Sequence, residues 1–240
     1  MTQPDSHFVT TRWTRVVRAK GGSLDARMAL SELCETYYAP VRGFIVAWTR
    51  NADKSDDLTQ EFFARVLKGG AFDNAAKGRG KFRSFLLGSV KHFLSDMRDR
   101  EDAAKRGGGK THESLDGGTD TSPGVQPAAN AAMAPDRSFD RNWTMTLLDL
   151  ALQRLAKEME SEEKQAQFET LKPWLTGEVG NVSQADAAVS LGMSEGAVKV
   201  AVHRMRKRFR ECVKKEIAQT LDDGQDVDGE LKCLLEAVSA

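Results

Sequence analysis

The chain has 240 residues, 40% of them hydrophobic, and balances 35 Lys and Arg against 35 Asp and Glu. That content supports a core in one or two modest domains, and it excludes a nucleic-acid binder acting through global charge, so any such affinity must come from local patches. No apolar run is long enough to span a membrane, MTQPDSHFVTTRW lacks the apolar centre of a signal peptide, and Cys34, Cys212 and Cys233 share no ligand-like spacing with the four histidines; the expectation is a cytoplasmic protein with reduced thiols, no membrane partner, no metal and no cofactor.

Phe8, Trp13, Val16 and Val17 predict a short amphipathic helix over residues 7–20, broken by Gly21-Gly22. Apolar residues from Leu24 to Trp48 then follow the helical period, with Pro40 expected to bend or split the helix because it removes a hydrogen bond. After a polar turn at 51–54, Ser55 opens SDDLTQEFFARVLKGG, whose buried side carries Leu58, Phe62, Val66 and Leu67. Asp56 and Asp57 suit the dipole of a first helical turn, whereas Gln60 and Glu61 extend the same polar strip, which is either ordinary surface or a dock for a basic partner. A loop rich in Gly, Asn and Lys leads to FRSFLLGSVKHFLSDMRDR, where aromatic and basic residues interleave. That pattern is either a core with solvated charge or a surface that stacks unpaired bases and neutralises phosphates.

Residues 101–140 hold six Gly and three of the six prolines of the chain, and read as a flexible linker; its reach is about 35 Å if it is flexible throughout. Lys105 and Arg106 form a basic tip before three glycines, able to lie along a phosphate backbone or simply to be soluble. From Asn142 the helical period returns with Trp143, Leu147, Leu155 and Met159, followed by a charged turn and by Phe168, Leu171 and Trp174. SQADAAVSLGMSEGAVKVAVHRMRKRFR then reads as two capped helices. Ser183 with Asp186 forms a capping box, Gly192 stops the first helix in a left-handed position, and Ser194 caps a second with Val198, Val202, Met205 and Phe209 inward. This is a helix-turn-helix, whose second helix lies in the major groove. Between Lys199 and Lys215 eight Lys or Arg face Glu211 alone, so charge is sorted to this helix in a neutral chain. The tail DDGQDVDGELKCLLEAVSA is an acidic tract and a final short helix. Asp222 to Glu230 could fold back on Lys207 to Lys215.

In this order, DDLTQEFFARVL, FRSFLLGSVKHFLSDMRDR and SEGAVKVAVHRMRKRFRE resemble a sigma factor of the sigma-70 family, in particular the extracytoplasmic-function group that keeps only regions 2 and 4. The resemblance implies an all-α protein of two helical domains: region 2 over 1–100, a linker over 101–140, a region 4 helix-turn-helix over 141–221, and an additional segment over 222–240. It implies core RNA polymerase and promoter DNA as partners, with the beta-prime coiled coil held by Asp56, Asp57, Gln60 and Glu61, and the beta flap held by region 4. By the same resemblance Lys91, His92, Ser95 and Arg98 form the minus-ten surface, and Lys199, Val200, Ala201, His203 and Arg204 the minus-thirty-five reader, with Lys207 and Arg208 further along the basic helix. Val200 and Ala201 stand where the family often has a Ser-Arg pair. They cannot donate bidentate hydrogen bonds, so direct readout falls to Lys199 and Arg204, with methyl contacts to thymine and shape readout beside them.

The expected function is an alternative sigma factor with no catalytic residue. An anti-sigma protein, phosphorylation or the acidic tail could restrain it. The rival reading is a helix-turn-helix repressor or activator acting without polymerase, which would bind palindromic duplex alone. A helical nuclease lacks support, because Asp56, Asp57 and Glu61 have no His or further acid at metal-ligand spacing.

Overall fold

The computed structural model describes residues 13, 23–68, 81–105, 134–177, 183–222 and 224–239. Among them every regular element is an α-helix: α1 (Leu24–Thr36), α2 (Tyr38–Thr49), α3 (Ala52–Lys68), α4 (Phe82–Lys105), α5 (Pro135–Ser161), α6 (Gln165–Leu171), α7 (Pro173–Thr176), α8 (Gln184–Leu191), α9 (Glu195–Ala218) and α10 (Val227–Ser239). The fold class is all-α. Of the helix expected over 7–20 only Trp13 is described; the loop 69–80, Arg106 and the rest of 106–133, and the side chain of Lys105 lie outside the described residues.

The long apolar stretch splits at Tyr37, and Pro40 falls in the first turn of α2, where its missing N–H removes no intrahelical bond. Helix α3 starts earlier than expected because Asn51 caps it: its Oδ1 accepts from the Lys54 amide at 3.0 Å. Ser55 is instead a buried interior residue whose hydroxyl donates to the Asn51 carbonyl at 2.5 Å. Asp56 and Asp57 therefore lie beyond the first turn, where the dipole effect has largely faded.

Residues 101–105 continue α4, and α5 begins at Pro135, a residue suited to the first helical position. Phe139, expected in the linker, is fully buried. Helix α5 is the spine of the molecule. Its first half lays Phe139 and Trp143 on α2 and its neighbours, with Trp143 stacked on Tyr37 at a centroid distance of 3.9 Å and Phe139 edge-on to Phe44 at 6.4 Å. Its second half packs Ala151, Leu155 and Met159 towards α9, so the buried side chains of the front helices and the helix-turn-helix form one contiguous cluster. Gly43 permits this approach: a Cβ there would collide with the Asn142 amide, and Ser138 Oγ donates to the Gly43 carbonyl at 3.3 Å.

All three cysteines are unpaired. Burial and the adjacent Glu35 push the Cys34 thiol up to about 12, and burial with Glu158 raises that of Cys212, whereas Cys233 is exposed. Because the thiolate is the reactive form, a disulfide reagent is expected to titrate one thiol of the native protein rapidly and the other two only on unfolding. Fast release from all three would contradict this packing.

Candidate nucleic-acid interface

The helix-turn-helix forms as its capping residues dictate. Ser183 Oγ accepts from the Asp186 amide at 3.0 Å while Asp186 Oδ2 accepts from the Ser183 amide at 3.3 Å, closing the capping box. The Ser183 hydroxyl also donates to Asp186 Oδ2 at 2.6 Å, and this bond, with that from the Ser183 amide, holds the Asp186 carboxyl below its usual range. Gly192 ends α8 with φ 62°, and Ser194 Oγ accepts from the Ala197 amide at 3.2 Å to start α9. Val198, Val202 and Met205 anchor α9 in the core.

The cations of α9 divide by direction. Lys199, His203, Arg204 and Lys207 are exposed on the side opposite that anchor, together with the half-exposed Val200 and beside the half-buried Ala201. None of those four has an ion-pair or hydrogen-bond partner among the described residues. The flanking cations instead hold the helix in place. Arg206 donates to the Trp174 carbonyl at 3.1 Å, Arg208 forks onto Glu162 at 2.8 and 3.0 Å and reaches Glu158 at 3.4 Å, Lys215 meets Glu158 at 3.0 Å, and Lys214 meets Asp228 at 2.8 Å. Arg208, expected near DNA, is thus directed at α5. Burial raises the Glu158 carboxyl, but Lys215 and Arg208 outweigh it, so the group lies below its usual range; Lys164 and Arg208 lower Glu162 likewise. These pins are complete at neutral pH and are lost only as acid titrates the carboxyls through their lowered values. Beside the outward strip, Met159, Leu171, Met193, Val200 and Arg204 line a cleft of about 590 Å³.

On α4, Lys91, His92, Ser95 and Arg98 share an exposed polar side. Lys91 pairs with Asp136 at 2.9 Å, His92 stands 3.4 Å from Asp96, and Arg98 stands 4.0 Å from Asp102. The interleaved aromatics resolve as core: Phe82 and Phe93 are buried and Phe85 packs on Trp13 at 5.3 Å, while Phe93 lies under the Arg65 guanidinium at 4.9 Å. The polar strip of α3 exposes Asp57, Gln60 and Glu61 and half-exposes Asp56. Two of its carboxylates already have cations, Asp56 with Arg42 and Glu61 with Arg65, each at 2.5 Å.

Two buried acids escaped sequence reasoning. Glu216 accepts from Arg154 Nε at 2.5 Å across α9 and α5. Glu230, expected over the basic helix, lies instead between Lys81 and Arg83 at the start of α4, whereas Asp228 does meet Lys214 of α9. Partners separated by 62 and 147 positions leave no local spacing signal; the only hint is a charge inside an apolar period.

Among the described residues no helix is long and apolar enough to cross a membrane, and no three His, Cys, Asp or Glu could hold a metal ion. No curated protein and no solved structure matches the chain. A family model described as ECF sigma factor matches residues 22–215. That span takes in both the front helices and the capped basic helix, so the chain belongs to the ECF sigma factor family, regulatory proteins that bind DNA and act with RNA polymerase in transcription initiation.

Proposed function

We propose that this chain directs core RNA polymerase, in the cytoplasm, to promoters whose minus-thirty-five element is read by Lys199, Val200, Ala201, His203 and Arg204, and whose minus-ten element is opened over Lys91, His92, Ser95 and Arg98. The observation that carries the reading is the outward strip of α9, where four basic or titratable side chains lack partners among the described residues on a helix capped as a major-groove reader. Residues 1–100 serve the minus-ten element and residues 141–221 the minus-thirty-five element, with 101–140 between them. Asp57, Gln60 and Glu61, exposed beyond the reach of the helix dipole, suit a basic surface on the beta-prime coiled coil, with Asp56 at the edge of the patch. The C-terminal helices take the beta flap, and an anti-sigma protein is a further partner.

Runoff transcription from genomic fragments is the test. Polymerase supplemented with this protein is expected to start transcripts that core alone does not, and silence on every fragment would refute the proposal. Tight binding of the isolated protein to palindromic duplex would favour the repressor reading instead. Arg204→Ala is expected to cost about 1–3 kcal/mol of discrimination at one promoter position if Arg204 reads a base. A uniform loss across sequences, with the salt slope reduced by about 1, would assign it to phosphate.

A further inference from the structure

The tail that lies beyond the basic helix bridges both halves of the molecule. Helix α10 buries Leu231 and Leu234, and its Glu230 is only 2% exposed. That carboxylate meets Lys81 and, at 3.1 Å, Arg83 Nε, both at the amino end of α4, where a helix dipole also favours an anion. Arg83 in turn holds Asp140 of α5 at 2.5 Å. The chain ends of the two DNA-facing helices abut at the same place: the Phe82 amide, at the start of α4, donates to the Thr220 carbonyl at 2.9 Å, and the Trp13 amide donates to the Gln219 carbonyl at 3.2 Å. Asp228 ties α10 to Lys214 of α9 at 2.8 Å.

This junction limits reach. At 1.5 Å per residue, Lys199 stands about 30 Å from the carboxyl end of α9 and Arg98 about 24 Å from the amino end of α4, so the two surfaces lie at most about 60 Å apart even if the helices ran end to end. Elements centred at minus ten and minus thirty-five are separated by about 85 Å of duplex, taking 3.4 Å per base pair. The arrangement, held by Glu230 together with the shared core along α5, cannot span both.

We infer that α10 is an intramolecular clasp: Glu230 locks the amino end of α4 to the C-terminal helices, and the lock must release before one chain can engage both promoter elements. The consequence for promoters rests on the function proposed above; the lock itself does not.

The test uses the full chain with Cys233→Ser, carrying spin labels on cysteines introduced at the exposed Arg100 and Glu195. One narrow distance distribution is expected for this parent. Glu230→Gln, which keeps the shape and removes the charge, is expected to raise the population at longer distance roughly tenfold, the value of a lost charge-assisted hydrogen bond. The helical circular dichroism of Glu230→Gln is expected to match that of the parent, which a variant that merely unfolds could not show. An unchanged distribution in both Glu230→Gln and a chain truncated after Leu221 would overturn the clasp. These distances need neither polymerase nor promoter, so silence in runoff transcription would sink the proposed function while leaving this result to be judged by itself.

Discussion

Trp143→Ala is expected to destabilise the protein by about 3–5 kcal/mol, a large fraction of the 5–15 kcal/mol that typically holds a domain folded. Trp143 is 1% exposed and sits where the two halves meet: it stacks on Tyr37, lies 5.8 Å from Phe82 and 5.7 Å from Phe139, and thereby joins α5 to α1, α2 and α4. Truncation leaves a cavity lined by rings that cannot all collapse into it. Urea unfolding followed by circular dichroism would read the loss as a lower midpoint. Trp143→Phe, which retains a ring in the same slot, is expected to lose less. A midpoint unmoved by Trp143→Ala would mean that α5 does not bind the front helices in solution, and the shared core would have to be abandoned.

The second large effect is an asymmetry. Arg154→Ala strands Glu216, which is 5% exposed, as an uncompensated carboxylate between α9 and α5, at an expected cost of about 3 kcal/mol. Glu216→Ala should cost less, because the Arg154 side chain is 37% exposed and can return its charge to water. Replacing both by leucine is expected to cost less than Arg154→Ala alone, since no charge is then left buried. Denaturant midpoints for the three variants decide the matter; equal or reversed costs for the two single changes would contradict the burial on which the asymmetry rests.

Features encoded within a few residues were legible in the sequence. The capping box at Ser183, the left-handed Gly192 and the Ser194 cap are interactions over three or four positions, and each forms as its residue types require. The same is true of the inward period Val198, Val202, Met205. Where local reading went astray, a competing local interaction prevailed: Asn51 caps α3 and starts it ahead of Ser55, whereas the break expected near Pro40 does occur, at Tyr37. The interleaved aromatics of α4 stayed ambiguous because periodicity identifies an apolar face without saying whether protein or a base covers it; packing against Trp13, Phe62 and Arg65 decided it.

The charge on α9 divides the two kinds of information most clearly. By itself the sequence determined that cations are concentrated there, since counting needs no partner. Which cations face outward and which pin the helix depended on Trp174, Glu158, Glu162 and Asp228, residues brought near by the path of α5, α7 and α10. Only the tertiary structure could place Glu230 at the head of α4, because an ion pair acts over a few ångströms of space, and 147 positions of sequence carry no measure of that distance.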